Sequence, residues 1–318
     1  MYKRQIELLE KARETTLAEN NKSHINLYVA LGIKSRACLA EGDWDGAFKA
    51  AKRVIDEGGY AVGTKSDLTG GMNSLDKQNV MWGAGIQVAD QAGGYAGFFT
   101  HMDNKEGAYA KSAPKLISKQ LYNRISATDI RRDWWDPSDK ESPYVSKKFS
   151  FANVASFLGD YIYMRVEEMY FTAAEAALRL DDLKSARELM NTVMAERDPG
   201  YSANNRSGTL LGATTTTWTG SFLENNLTHR RIELWGEYGR LFDVRRLGQG
   251  IDRRTDDGFS EECISMMNRR NVNITKADTY DWVLTIPKAE LDANPNINEE
   301  DQLSLIHISE PTRLALIS

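Results

Sequence analysis

The densest group of ionisable side chains lies in residues 229–248, HRRIELWGEYGRLFDVRRLG, which hold five arginines and two glutamates. Acidic and basic residues recur there at intervals of three and four, which places opposite charges side by side on a helix. Arginine suits half-buried pairing because its planar guanidinium meets a carboxylate with two hydrogen bonds. The stretch therefore predicts a helix whose charges pair along one face and across to a neighbouring helix. We interpret the following residues as a structural brace: Arg230, Arg231, Glu233, Glu237, Arg240, Asp243, Arg245 and Arg246.

The apolar residues of the same stretch are expected to supply the contacts between these charges. They are Leu234, Trp235, Leu241 and Phe242. A nucleic-acid site is the competing interpretation of so many arginines. The whole chain, however, has 40 Lys and Arg against 45 Asp and Glu, a net charge of -5. This balance argues against a protein that neutralises phosphates, so we expect no nucleic-acid partner.

Residues that could carry catalysis are sparse. The histidines of residues 1–302 are His24, His101 and His229, and none stands at metal-ligand spacing from another His or a Cys. The sequence has no G-x-S-x-G elbow, no Gly-rich phosphate loop and no cysteine close to a histidine. We predict a protein that is not an enzyme, with no catalytic residues, no metal and no cofactor. A glycan-cleaving enzyme is a minor alternative, because two carboxyl groups can converge from distant positions.

Aromatic residues in polar loops are the better candidates for function. A sugar presents flat C–H faces that lie on a ring, and the electron-rich ring face suits that contact. Tyr95, Phe98, Phe99 and Tyr109 lie in a Gly-rich stretch, and Trp218 ends a Thr-rich one. We predict these five as ligand-binding residues. The polar residues near the first four are Gln91, Asp103 and Asn104. The alternative is that the rings pack onto the helices beneath them.

The elements that would position these rings are predicted to be helical hairpins. The first runs over about residues 25–58, with a turn at EGDW and a stop at Gly58-Gly59, and the second runs over about 163–197 with a turn at DDLKSA. Small residues recur at equivalent positions, as tetratricopeptide-type hairpins require. The insertion at about 60–160 is rich in loop signals, with short strands expected in 79–88 and 145–151. The fold class is therefore mainly α, with tetratricopeptide-like hairpins, a loop-rich insertion and a few short strands.

Several tryptophans and both cysteines are assigned to the interior. Trp134 and Trp135 follow TDIRRD and are expected in the core or in the brace. Cys38 and Cys263 are far apart in sequence and are predicted to be buried free thiols. A transmembrane helix needs a run of about 20 apolar residues, and the sequence contains no such run.

The last residues, 303–318, read LSLIHISEPTRLALIS, and their first part looks like the translation of a transposase adapter used in sequencing libraries. We expect this tail to be non-native. His307 and everything from Leu303 onward are therefore left out of the functional interpretation. We expect residues 1–302 to form a single domain, with the natural sequence continuing differently after Gln302.

Three separated stretches together resemble the SusD/RagB family. They are INLYVALGIKSRACLAEGDWDGAFKAAKRVIDEGGYAV, YIYMRVEEMYFTAAEAALRL, and residues 229–248 followed by IPKAELDANPNI. The likeness covers most of residues 25–298, with a C-terminal hallmark region at 222–298. The resemblance implies a SusD-like nutrient-binding lipoprotein, exposed at the surface of the outer membrane. Such a protein binds a glycan or another small nutrient for a TonB-dependent transporter of the SusC type.

The resemblance has two departures. Family members begin with a signal peptide and an acylated cysteine, followed by a long series of helices, and neither is present before residue 25. We therefore expect a fragment that lacks the N-terminal portion. The alternative to nutrient binding is a helical-repeat adaptor that binds only protein, which would line a concave helix surface rather than loops with its binding residues.

Overall fold

The computed structural model describes residues 21–90, 97–210, 219–249 and 286–301. Its described part is mainly helical with four short strands, which confirms the predicted fold class. The described residues divide into two compact units, one of residues 21–90, 97–210 and 219–242, the other of residues 243–249 and 286–301. No helix in these ranges combines the length and the apolar character needed to cross a bilayer.

The first predicted hairpin consists of α1 (Leu27–Glu41) and α2 (Trp44–Glu57). The Asn26 side chain accepts the Val29 N–H at the start of α1, and the helix ends at Gly42, whose φ of 80° is left-handed. The turn consists of Gly42 and Asp43, and the Asp43 side chain accepts the Gly46 N–H at the start of α2. Ala47 and Ala176 pack with Cys38 in a small core, so Cys38 is a buried free thiol.

The second hairpin consists of α7 (Val166–Arg179) and α8 (Leu183–Ala195), with Asp182 capping α8. Helix α7 packs against α2 on one side and against α8 on the other, and it also contacts α1. Residues 166–178 are buried except for Tyr170. Four alanines in this segment allow the close approach of neighbouring helices. The two hairpins therefore form adjacent layers across α2 and α7.

The insertion between the hairpins contains short elements. They are α3 (Lys65–Thr69), β1 (Val80–Ala84), a 3-10 turn at Val88–Asp90, α4 (Phe98–Met102), α5 (Ala108–Ser112), α6 (Lys119–Tyr122), a 3-10 turn at Ile130–Trp134, β2 (Trp135–Asp136), β3 (Val145–Ser146) and β4 (Tyr161–Arg165). Strands β1 and β4 are antiparallel and pair Val80 with Arg165, and β2 pairs Trp135 with Ser146 of β3. The strands expected in 79–88 and 145–151 are thus present in part.

The short helices α4 to α6 were not expected from the sequence. Each has four or five residues, which is too short to show a helical period. Phe99 of α4 and Leu121 and Tyr122 of α6 belong to a core rich in aromatic rings, in which Trp134 and Trp135 are buried. The core residues are Leu68, Met72, Phe99, Ile117, Leu121, Tyr122, Ile125, Trp134, Trp135, Phe149, Phe151 and Ile232.

The charged stretch 229–248 is two helices, not the single helix that its spacing predicts. Helix α9 (Phe222–Glu233) is followed by a turn and by α10 (Arg240–Arg246). Gly236 and Gly239 in the turn have φ of 75° and 110°, a left-handed conformation that glycine adopts without strain. Because the chain turns here, Leu241 and Phe242 are 53% and 51% exposed, and the prediction that they pack between the charges was wrong.

The second unit, as far as it is described, contains α11 (Lys288–Ala293) and a 3-10 turn at Glu299–Asp301. Pro287 precedes α11, whose side chains are exposed or half-buried. In the same unit Arg246 donates to Asp243 at 2.8 Å. Cys263 lies outside the described residues.

Candidate functional site

The five predicted ligand-binding residues have different locations. Tyr95 and Trp218 lie outside the described residues, as does Gln91. Phe98 and Phe99 open helix α4, and Tyr109 lies in α5. Because α4 and α5 pack against each other, the three described candidates lie in one small region of the insertion.

Phe99 is part of the aromatic core rather than of the surface. Its side chain is only 2% exposed, and its ring centroid lies 5.7 Å from that of Phe151 and 6.1 Å from that of Tyr161. Gly159 approaches this ring so closely that a Cβ atom there would overlap it. The expectation that Phe99 offers its face to a sugar therefore does not fit this structure.

Phe98 sits at the edge of the same core and is half-buried. Its ring meets those of Phe99 and Phe149 edge-on at centroid distances of 5.1 and 5.4 Å. Its backbone N–H donates to the Tyr161 hydroxyl at 3.2 Å. The rings packed against Phe98 and this hydrogen bond fix the first residues of α4.

Tyr109 forms a stacked pair with His101, a residue that the sequence did not single out for binding. The two rings are parallel within 2°, with centroids 4.6 Å apart. His101 is exposed and Tyr109 half-buried, so the pair presents planar aromatic surface near the solvent. Lys105, Lys111 and Glu106 surround the α4–α5 connection with charge, the Glu106 carboxylate lying 3.9 Å from both ammonium groups.

The polar residues predicted to help with ligand hold the insertion together instead. Asp103 is buried and accepts the backbone N–H groups of Lys105, Glu106 and Phe151. Asn104 accepts the Lys115 N–H at 2.8 Å and donates to the Ser146 carbonyl at 2.8 Å. These bonds support the surface that carries His101 and Tyr109.

The brace residues Glu233 and Glu237 lie in a group of eight buried charges, which we name the core ion network. Its cations are Arg131, Lys148, Arg165 and Arg197, and its carboxylates are Asp129, Glu167, Glu233 and Glu237. Their side chains are 0% exposed, apart from Glu237 at 9%. The four positive and four negative charges balance.

Glu233 is the centre of this network. Its carboxylate accepts from Arg131 at 3.1 Å, from Arg165 at 2.9 Å and from Arg197 at 3.0 Å through both Nε and Nη2. Burial alone would raise the pKa of Glu233, but Arg197, Arg165 and Arg131 outweigh it and hold the pKa well below the usual range. The carboxyl is therefore ionised at neutral pH.

Glu237 lies in the turn after α9 and is held by Arg165 and Lys148. Arg165 donates through Nε and Nη2 at 2.7 and 2.8 Å, and Lys148 Nζ donates at 2.5 Å. Lys148 also donates to the carbonyls of Glu233 and Trp235. Burial lowers the pKa of Lys148 to about 8, although Glu237 opposes the shift. Burial raises the pKa of Glu237, yet the adjacent Arg165 and Lys148 outweigh it and lower the pKa.

Arg230 and His229 extend the buried polar region. Arg230 donates to Thr172 Oγ1 at 3.1 Å and lies 3.5 Å from the Glu168 carboxylate. His229 Nδ1 is 2.8 Å from Arg131 Nη2 and must accept, since a guanidinium only donates. Burial and Arg131 hold the pKa of His229 well below its usual value, so the ring is neutral.

Three of the remaining predicted brace residues are more exposed to solvent than Glu233 and Glu237. Arg231 is half-buried, and Arg240 and Arg245 are exposed. The sequence did not identify Lys148, Arg165 or Arg197 as partners of the charged stretch. The available signal was the TDIRRD segment, which contains Asp129 and Arg131.

The chemistry available to the core ion network is limited by its protonation state. A general acid at neutral pH needs a carboxyl whose pKa is raised, as in glycosidases. Glu233 and Glu237 have lowered pKa values. Within the described ranges no three His, Cys, Asp or Glu side chains converge as metal ligands.

Comparisons with known proteins agree with this architecture. The sequence matches the SusD family over residues 140–302, just over half of the chain. A crystal structure of a SusD-like carbohydrate binding protein from Bacteroides vulgatus is 26% identical, with a TM-score of 0.71 over 93% of this chain and 64% of that one. A SusD superfamily protein from Bacteroides thetaiotaomicron is 21% identical, with a TM-score of 0.70 over 95% of this chain and 66% of that one.

A more distant structure shares the fold. Surface glycan-binding protein A from Bacteroides uniformis is 16% identical, with a TM-score of 0.55 over 93% of this chain and 67% of that one. No curated protein matches the chain. The chain thus spans about two thirds of the length of these solved structures. The family match over more than half of its residues, together with the shared fold, shows that the chain belongs to the SusD family.

Proposed function

We propose that the protein binds a glycan without cleaving it, at the surface formed by α4 and α5 of the insertion. The observation that carries the proposal is the stacked pair of His101 and Tyr109 on a rigid aromatic core. A structure 26% identical to this chain is described as a carbohydrate binding protein, which supports the same class of ligand. Tyr95, Phe98, Tyr109 and Trp218 are the proposed ligand residues, with His101 added to them.

The physical basis is the stacking of sugar C–H faces on aromatic rings whose positions are already fixed. Asp103 and Asn104 fix the backbone around α4 and α5, so little side-chain or loop entropy is lost when a ligand binds. The lysines and Glu106 near the pair supply hydrogen bonds for hydroxyl groups.

Isothermal titration of the full chain against plant and host oligosaccharides tests this proposal. Tyr109→Ala and His101→Ala should each weaken binding about three- to tenfold, since one aromatic contact is removed. Leu180→Ala is the control, because Leu180 is 43% exposed and lies at the end of α7, outside α4 and α5. No heat with any glycan would favour the adaptor alternative, and products formed on prolonged incubation would favour an enzyme.

We also propose that the protein acts at the cell surface as an outer-membrane lipoprotein and passes its ligand to a TonB-dependent transporter of the SusC type. Family membership supports this assignment. Co-precipitation of an epitope-tagged protein from outer-membrane extracts tests it. Recovery of no transporter, with the tagged protein shielded from protease added to whole cells, would contradict it.

A further inference from the structure

The stretch that carries the proposed glycan surface is basic, although the whole chain is acidic, with a net charge of -5. Residues 98–122, which contain α4, α5 and α6, hold two carboxylates, those of Asp103 and Glu106, and four lysines. The lysines are Lys105, Lys111, Lys115 and Lys119. Asp103 is buried and accepts three backbone N–H groups, so Glu106 is the carboxylate of this stretch that meets the solvent. The exposed charge of the stretch is therefore positive.

Two of these lysines have ammonium groups that the protein itself leaves available to a ligand. The side chains of Lys105 and Lys111 are 88% and 55% exposed, and the Glu106 carboxylate lies 3.9 Å from each ammonium group. That distance is too long for a hydrogen bond. Among the residues that the structure describes, neither ammonium group donates to any other acceptor. Both groups therefore keep their N–H donors for a bound molecule.

The two ammonium groups and the stacked rings of His101 and Tyr109 belong to one folded-back stretch. The turn between α4 and α5 is closed by a backbone hydrogen bond of 2.8 Å, which the Gly107 N–H donates. Lys105 lies in this turn, four residues from either ring, and Lys111 follows Tyr109 by two residues. Since consecutive Cα atoms are about 3.8 Å apart, each lysine Cα lies within about 15 Å of a ring-bearing Cα. Long lysine side chains and an oligosaccharide together span such a distance, so one ligand can engage both a ring and an ammonium group.

We infer that the glycan bound at α4 and α5 is anionic and carries carboxylate or sulfate groups, an inference that rests on the proposed function. The rings stack on a sugar face, and Lys105 and Lys111 pair with charged groups of the same sugar or of the next one. Because a single carboxylate, that of Glu106, stands between two ammonium groups, one positive charge remains uncompensated. A neutral glycan meets these groups through hydrogen bonds alone, whereas an anionic one also gains Coulomb attraction.

Isothermal titration of the full chain with three oligosaccharides tests the inference. Oligogalacturonate carries carboxylates, its methyl ester has the same sugars without the charge, and a κ-carrageenan oligosaccharide carries sulfate without carboxylate. At least one of the two anionic ligands should bind about tenfold more tightly than the methyl ester, and added salt should weaken the anionic binding alone. The tighter of the two anionic ligands identifies the charged group as carboxylate or sulfate.

Two double variants with the same net charge locate the binding. Lys105→Gln/Lys111→Gln should weaken binding of the anionic ligand about three- to tenfold, because two exposed ion pairs are removed. Binding of the methyl ester should stay the same, since glutamine still donates to hydroxyl groups. Lys49→Gln/Lys184→Gln is the matched control, because these lysines are 73% and 86% exposed and lie in α2 and α8. Glu106→Gln removes the competing carboxylate and should tighten anionic binding about twofold.

The outcomes separate this inference from the proposed function. If a neutral glycan binds at least as tightly as both anionic ligands, or if the Lys105→Gln/Lys111→Gln variant binds them like its control, the inference is overturned and the proposed function stands. Anionic binding that Tyr109→Ala leaves unchanged would also overturn it, because the anion would then be held away from the rings. If no oligosaccharide binds, whether charged or neutral, the proposed function fails and the inference fails with it.

Discussion

The core ion network and the aromatic core of the insertion both bury large side chains, but they achieve this by different physical means. The network compensates four buried cations with four carboxylates, each pair requiring a particular distance and angle. The aromatic core relies on the removal of ring surface from water and on ring geometries that tolerate variation. The comparison teaches that one region depends on specific charge pairing, whereas the other supports a binding surface by burying aromatic rings.

The largest effect is expected from removing the central charge of the network. Glu233→Gln would leave four buried cations with three carboxylates, and breaking a buried pair in this way costs about 3–5 kcal/mol. Urea denaturation followed by circular dichroism measures the change. Glu188→Gln is the control, because Glu188 is 65% exposed and lies 4.0 Å from Lys184. Equal free energies of unfolding for the two variants would show that the buried charge of Glu233 contributes no more to stability than the exposed charge of Glu188.

A smaller loss of stability is expected when a ring of the aromatic core is removed. Phe99→Ala should destabilise the protein by about 3 kcal/mol, as is usual for truncation of a buried phenylalanine. Phe157→Ala should cost much less, since that ring is 45% exposed. The same denaturation experiment compares them. A Phe99→Ala protein as stable as Phe157→Ala would mean that the core collapses around the cavity.

The smallest effect is a dependence of the free energy of unfolding on pH, to which the network contributes through Lys148. The folded-state pKa of Lys148 is about 8, below its ordinary value of 10.5, so the unfolded chain binds more protons between these values. The contribution of Lys148 to the free energy of unfolding should therefore rise by about 1–2 kcal/mol above pH 8. Cys38 contributes in the opposite direction above about pH 9, because burial raises its pKa to about 11. Measurements are best kept below about pH 9.5, since tyrosines begin to ionise near pH 10.

A matched variant assigns this pH dependence to Lys148. Lys148→Met removes the titrating amine, so the rise in the free energy of unfolding above pH 8 should be absent from this variant. Phe99→Ala should keep the slope of the unmodified protein, because it removes no charge. A rising slope that persists in Lys148→Met would assign the effect to another group.

The sequence predicted the hairpins because their signals are local. Asn26 and Asp43 cap helices within three residues of their own positions, and Gly42 ends α1 where the turn was expected. The partners of Glu233 were not predictable in this way. Arg131, Arg165 and Arg197 lie 102, 68 and 36 residues from it, and no local pattern records such separations.

The binding surface was only partly predictable for a related reason. Phe98 and Phe99 are adjacent in sequence, but one lies at the edge of the aromatic core and the other inside it. The orientation of each ring is set by a five-residue helix, which is too short to show a periodic pattern of apolar residues in the sequence. The stacking of His101 on Tyr109 depends on the packing of α4 against α5, which the sequence does not display.

The order of residues in the core ion network has a consequence for biosynthesis. Asp129, Arg131, Lys148, Arg165, Glu167 and Arg197 all leave the ribosome before Glu233 and Glu237. Until α9 emerges, the nascent chain carries four of these cations and two of the carboxylates, an excess of two positive charges. Dehydrating such an unbalanced group is costly, so the network residues from Asp129 to Arg197 should stay hydrated and accessible to chaperones until α9 has been synthesised.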